Sequence, residues 1–195
     1  MNESLPQVLS ELERFGAEND RTIADRPHRM LNITRDTGKF LSVLVRAMSA
    51  KRVLEIGTSN GYSTLWLAEA VSITGGHVWT VELSEFKIAL AAKNFVRSGL
   101  SFAITQVHDE AGHALAAERG DAFDLVFLDS ERLEYPGWWP DLKRVVRRGG
   151  LLVVDNATSH PEQMAPFIAL VEADPEFTTC LVPVGNGEFL ATRSP

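Results

Sequence analysis

The stretch Arg52-Val53-Leu54-Glu55-Ile56-Gly57-Thr58-Ser59-Asn60-Gly61-Tyr62-Ser63 constrains the fold more than any other part of this 195-residue chain. It starts as a short apolar run with one acid inside it, breaks into a loop with glycines at 57 and 61, and continues as the helical pattern Thr64-Leu65-Trp66-Leu67-Ala68. Strand, tight glycine turn and helix therefore follow one another. Glycine lets the backbone reverse and approach a ligand closely. The next helix directs free N–H groups and a positive dipole end toward an anionic group. A glycine pair alone occurs in many α/β proteins, but the context adds weight. Thr80-Val81-Glu82 ends a second apolar run, and Glu82 stands near the distance at which a nucleoside-binding fold places an acid for ribose hydroxyls.

From residue 52 onward, strands and helices alternate. Strands are expected at 52–56, 77–82, 102–107, 123–128 and 150–154, with helices at 61–71, 84–97, 109–118 and 138–146 between them. Such alternation calls for a parallel sheet with helices on both faces. A helix at 161–172 follows, and the runs 177–184 and 188–192 around Gly185-Asn186-Gly187 read as an antiparallel hairpin at the sheet edge. The expected fold class is α/β, a Rossmann-like doubly wound, mostly parallel sheet with a C-terminal antiparallel hairpin. The chain reads as one domain, 1–195, with 1–29 as an N-terminal helical extension. There, Leu5, Val8, Leu9, Leu12 and Phe15 recur at helical spacing, on a helix that either caps the domain or packs on a partner subunit.

A net charge of -7 with no basic stripe argues against nucleic acid as the main partner. A single cysteine, Cys180, excludes an internal disulfide and makes a reducing, cytoplasmic setting the default. It lies in the apolar run Phe177 to Val182 and is expected to be buried. No signal peptide is visible, and no apolar run is long enough to span a membrane.

Ligands of such a sheet sit at the carboxyl ends of its strands. Asp129 follows Leu125-Val126-Phe127-Leu128, and Asp155-Asn156 follows Leu151-Leu152-Val153-Val154. Two carboxylates and an amide oxygen on strand ends offer hard ligands that suit Mg²⁺, Mn²⁺ or Ca²⁺ better than zinc. One such acid would more often cap a loop or a following helix; the joint occurrence favours a cation. Tyr135, Trp138 and Trp139 follow in a stretch that reads as a loop and are expected to form a wall against a planar ring, with Trp139 equally readable as core. Trp66 and Trp79 are expected in the core.

Leu54-Glu55-Ile56-Gly57-Thr58-Ser59-Asn60-Gly61-Tyr62-Ser63 resembles the cofactor loop of S-adenosylmethionine-dependent methyltransferases, and specifically of the cation-dependent O-methyltransferases, the catechol and caffeoyl-CoA O-methyltransferase group. Leu31-Asn32-Ile33 with Gly38-Lys39 resembles the segment ahead of that loop, Val81-Glu82 the ribose-binding strand end, and Phe127-Leu128-Asp129 and Val154-Asp155-Asn156 the two metal motifs. The likeness covers about residues 30 to 192. It implies a class I methyltransferase fold, S-adenosylmethionine and a divalent cation (Mg²⁺, or Mn²⁺ or Ca²⁺) as cofactors, a small hydroxylated acceptor, and a homodimer. Asn32, Ile33, Glu55, Gly57, Thr58, Ser59 and Ser63 would serve the methionine part, with Ser63 at the carboxylate. Glu82 would take the ribose, and His108 and Asp109 the adenine. Asp129, Asp155 and Asn156 would hold the metal, with Asp129 also beside the cofactor.

The family's catalytic lysine, three residues after the first metal aspartate, is replaced here by Arg132. A guanidinium stays protonated and cannot act as base. Either the metal alone acidifies the hydroxyl while Arg132 steadies the oxyanion, or another group such as His160 takes the proton, or the acceptor has changed or activity has been lost. A metal-independent methyltransferase and a catalytically decayed cofactor-binding module stay open as alternatives. A nicotinamide oxidoreductase fits less well, because the loop runs Gly57-x-x-x-Gly61 without the third glycine.

Overall fold

Five parallel strands, β1 (Arg52–Ile56), β2 (His77–Glu82), β3 (Ile104–His108), β4 (Phe123–Leu128) and β5 (Val146–Val154), meet an antiparallel pair, β6 (Phe177–Val182) and β7 (Glu188–Arg193), in the computed structural model, which describes residues 4–195. The sheet order is β3-β2-β1-β4-β5-β7-β6, so the last strand in sequence wedges between β5 and β6. The helices are α1 (Leu5–Thr22), α2 (Arg35–Ala47), α3 (Tyr62–Ile73), α4 (Glu85–Ser98), α5 (Ala111–Ala117), α6 (Tyr135–Val145) and α7 (Pro161–Glu172). This is the α/β, mostly parallel architecture expected, and the last two strands in sequence supply the antiparallel hairpin.

Successive side chains of a strand point to opposite faces. On β1, Val53 enters a cluster with Leu9 of α1, Leu41 of α2, Leu65 of α3 and Phe95 of α4, whereas Leu54 enters a second cluster with Leu115 of α5, Leu142 of α6 and Phe167 of α7. Both faces are covered, which is why the central strands read as unbroken apolar runs. Helix α1 buries Val8, Leu9 and Leu12 in the first cluster, so its apolar stripe caps the domain. No helix among the described residues is long and apolar enough to cross a membrane.

Several boundaries differ from the sequence reading. Ser101–Ala103 form a 3-10 turn, which delays β3 to Ile104. Strand β5 starts at Val146, ahead of the 150–154 expected, and Arg147 to Gly150 form an irregularity inside it, where the register with β4 shifts between Phe123 and Leu125 and Gly149 takes φ 69°. Helix α6 starts at Tyr135, because Pro136 fits the first turn of a helix, where its missing N–H has no partner to lose. Tyr135 therefore faces inward and is not a substrate wall. Its ring lies 5.5 Å from that of Phe167, and its hydroxyl accepts the Ser130 N–H at 2.8 Å. Trp139 is core, edge-on to Phe177 at 4.9 Å. Trp66 and Trp79 are only partly buried and pack against the two clusters. Cys180 is exposed, contrary to expectation, because β6 is an edge strand with its outer face uncovered.

One charged side chain sits at the centre of this apolar frame. Glu55 is fully buried; Ser63 Oγ donates to its Oε1 at 2.6 Å, and Thr80 Oγ1, at 2.6 Å, and Thr64 Oγ1 donate to its Oε2. Burial outweighs the three hydroxyl donors and raises its pKa to about 7. The fold thus binds a proton more tightly than the unfolded chain does. That contribution to stability is complete below the ordinary glutamate pKa and is lost as pH rises through about 7. Denaturant titrations of wild type and Glu55→Gln at pH 5 and pH 8 are expected to show the wild type losing more stability between the two pH values than the variant; equal losses would contradict the assignment.

Candidate active site

A cavity of about 930 Å³ opens at the carboxyl ends of β1, β2 and β4. Its floor is the turn from β1 into α3. Gly57 adopts φ 106°, and a Cβ at this position would lie 2.1 Å from the Asp129 carbonyl oxygen, so only glycine lets the ends of β1 and β4 come this close. Thr58 Oγ1 and Thr80 Oγ1 share a hydrogen bond of 2.6 Å, and the Ser59 N–H donates to Glu82 Oε2 at 3.0 Å. Glu82 Oε1 accepts the Ser84 N–H at 2.9 Å, so two backbone donors fix the carboxylate on the cavity wall.

The segment ahead of α2 forms the opposite wall. Asp20 accepts the N–H groups of Met30 at 2.7 Å and Leu31 at 2.8 Å, and Ser59 Oγ donates to the Met30 carbonyl at 2.7 Å. These bonds hold Asn32 and Ile33 against the glycine turn, and both line the cavity. The Asn32 amide donates to the Leu12 carbonyl at 3.0 Å, and its oxygen is buried without a partner.

Asp129 and Asn156 stand at the far end of the cavity, with Asp155 just behind them, 2% exposed. Asn156 Nδ2 lies 3.1 Å from Asp129 Oδ1 and 3.0 Å from Asp155 Oδ2, so the three side chains meet at one point. No Lys or Arg among the described residues lies within ion-pair distance of either aspartate. Burial raises the pKa of both, and each is drawn down only partly by Arg132. A third acid joins them. Glu188 at the start of β7 is fully buried, accepts Thr37 Oγ1 at 3.0 Å, and faces Asp155 closely enough for one carboxyl to donate to the other. Asp155 Oδ1 and Glu188 Oε2 have no other donor. Two buried carboxylates facing one another in this way need a proton or a cation between or beside them.

The donor set fits a hard cation in its two carboxylates, which carry unspent lone pairs. It fits less directly in Asn156, whose NH₂ faces the aspartates while Oδ1 accepts Ser159 Oγ at 3.1 Å; a cation calls for the amide oxygen in place of the nitrogen. Among the described residues no group of three His, Cys, Asp or Glu side chains is arranged to hold a metal ion, so the amide is needed to complete the set.

Most residues expected at the site come together: Asn32, Ile33, Gly57, Thr58, Ser59, Ser63, Glu82, Asp109, Asp129, Arg132 and Asn156 all line the cavity. Two do not. Glu55 lies behind the turn and orders it without reaching the cavity. His108 is exposed, and its Nε2 lies 3.1 Å from the Leu83 carbonyl, so Asp109, Glu110 and Ala111 line that end instead. The Ser63 hydroxyl is committed to Glu55, which leaves the first N–H groups of α3 as the anion-binding feature there. Arg132 is 8% exposed, and its Nε donates to Gln163 Oε1 at 2.7 Å. Of the three aromatics after β4, Trp138 alone reaches the cavity. Arg29, Asn186 and Glu188 were not anticipated. Arg29 lies in a polar stretch without a pattern, and the other two come from the hairpin, which sequence alone places only at the sheet edge.

The chain is similar to known proteins in sequence and in fold. A catechol O-methyltransferase of Niastella koreensis is 32% identical over 166 residues, 79% of this chain and 72% of the relative. The structure of an O-methyltransferase from Bacillus cereus in complex with SAH superposes with TM-score 0.83 at 26% identity, covering 96% of this chain and 91% of that one. TomG of Streptomyces achromogenes, an O-methyltransferase involved in tomaymycin synthesis and solved with SAM, gives TM-score 0.80 at 27% identity over 96% and 90% of the two chains. The O-methyltransferase family matches residues 4–194, and the chain belongs to that family.

Proposed function

We propose that this O-methyltransferase moves the methyl group of S-adenosylmethionine to one oxygen of a small aromatic acceptor with vicinal hydroxyls, assisted by a divalent cation, Mg²⁺ before Mn²⁺ or Ca²⁺. The observation that carries this reading is the convergence of Asp129, Asp155 and Asn156 at one end of the cavity whose other end holds Glu82 and the glycine turn. The SAH-bound and SAM-bound neighbours support the methyl donor, and the catechol O-methyltransferase relative supports the acceptor class.

The residues divide the work. Glu82, held by the backbone of Ser59 and Ser84, is set to accept ribose hydroxyls, and the start of α3 faces the donor's carboxylate. Asp129, Asp155 and Asn156 would hold the cation, which when bound lowers the pKa of an acceptor hydroxyl and orients it. Arg132, fixed at Nε by Gln163, keeps its terminal amino groups for the oxyanion that forms. Burial and the nearby Arg132 and Arg26 lower the pKa of His160, so its imidazole is neutral at pH 7 and able to accept a proton. The oxygen–carbon bond then forms as the carbon–sulfur bond breaks, and positioning of the two reactants supplies much of the rate.

A metal-independent transfer is the second reading. It draws on the Asn156 NH₂ aimed at both aspartates and on a proton shared by Asp155 and Glu188, which together hold the acid cluster without an ion. The same family reading carries a cytoplasmic homodimer, supported by apolar side chains left exposed on α1 and α2, such as Phe15 and Val43.

Methyl transfer to a catechol panel is expected to fall at least about tenfold on chelation and to return with Mg²⁺; indifference to chelation selects the second reading. Arg132→Ala is expected to lower kcat by roughly ten- to a hundredfold, as loss of one oxyanion donor does, while calorimetry finds S-adenosylhomocysteine affinity nearly intact. Unchanged turnover removes Arg132 from the chemistry.

A further inference from the structure

Three guanidinium groups line one side of the cavity, those of Arg26, Arg29 and Arg132. Two of them are engaged. Arg26 Nη1 pairs with Glu131 at 3.0 Å, and Arg132 Nε donates to Gln163. Arg29 has neither an ion pair nor a hydrogen bond from its side chain among the described residues, and its Nε is sealed from solvent without an acceptor. Arg29 is half-buried, and its terminal amino groups, which no acceptor among the described residues engages, are left to meet an anion in the cavity.

The backbone fixes where Arg29 stands. On one side, Met30 is tied to Asp20 and to Ser59 of the glycine turn. On the other, the 3-10 turn Arg26–His28 reaches across to Glu131, two residues past Asp129. Arg29 is thus strung between the loop that cradles the methyl donor and the loop that follows Asp129. A guanidinium matches a carboxylate with two parallel hydrogen bonds, and neither a hydroxyl nor an aromatic ring satisfies it as well.

We propose that Arg29 anchors a carboxylate carried by the methyl acceptor, so that the preferred acceptor is a hydroxylated aromatic acid and not a neutral catechol. The proposal rests on the reading of this cavity as a methyl-transfer site for vicinal hydroxyls. The remaining candidate for Arg29 is the carboxylate of the methyl donor itself, which the start of α3 already faces.

The probes are 3,4-dihydroxybenzoate and 3,4-dihydroxybenzamide, which share ring and hydroxyls and differ in charge. Methyl transfer is measured with each, on wild type, Arg29→Gln and Arg29→Lys, and S-adenosylhomocysteine affinity is measured by calorimetry on the same samples. A charge-assisted pair predicts that wild type favours the benzoate in kcat/KM by about tenfold or more. Arg29→Gln should bring that ratio to near one, and Arg29→Lys should restore part of it. Each ratio is taken within one protein sample, so a variant that folds poorly does not distort it. A wild-type ratio near one, or a ratio that survives Arg29→Gln, overturns the proposal and leaves the methyl-transfer reading standing. A loss of S-adenosylhomocysteine affinity in Arg29→Gln with the ratio unchanged also overturns it and assigns Arg29 to the methyl donor. No transfer to either probe, with S-adenosylhomocysteine still bound, defeats the vicinal-hydroxyl reading and the proposal with it.

Discussion

The buried carboxylate of Glu55, with the hydroxyls of Ser63, Thr64 and Thr80 gathered around it, is the contact on which the site's shape depends. It joins the end of β1 to β2 and to the first turn of α3, the three elements that bound the glycine turn. A charged group in an apolar frame tolerates few arrangements, because each missing donor leaves part of its desolvation uncompensated. The turn above is therefore determined from below. Thr58 closes on Thr80, Ser59 reaches Glu82, and the open face of Gly57 lets the Asp129 carbonyl come in. The cavity takes its shape in part from a residue that does not line it.

At the other end the organising force is repulsion. Asp129, Asp155 and Glu188 crowd three acids into a buried region, and none of them forms an ion pair with a Lys or Arg among the described residues. Such a cluster persists only if protons or an ion neutralise it. Such crowding opposes folding, and the apolar clusters on both faces of the sheet act against it.

Much of this was readable in the residues. The central strands announced themselves because both of their faces are covered, and the acids after β4 and β5 were placed correctly because a strand end has only one direction to go. What failed did so for physical reasons. Tyr135-Pro136-Gly137 looked like a loop, although a proline in a first helical turn stabilises the start of α6. Glu55 looked like a ligand contact because side-chain direction within a strand depends on which face the helix covers. His108 ends β3 on the cavity's side, but its ring turns to the Leu83 carbonyl. Arg29 and Glu188 carry no local signal at all; their meaning comes from partners more than thirty positions away or from having none.

Strand β7 gives the architecture a temporal side. It pairs with β5 on one edge and β6 on the other, and it brings Glu188 to Asp155 and the Asn186 carbonyl onto Thr158 and Ser159. Strands β1 to β5 precede this segment in synthesis. Until it follows, the acid cluster lacks its third member and the loop after β5 lacks its backbone acceptor. A nascent chain of this kind would hold an incomplete acid cluster beside a complete glycine turn until the β6–β7 hairpin docks its inner strand on β5.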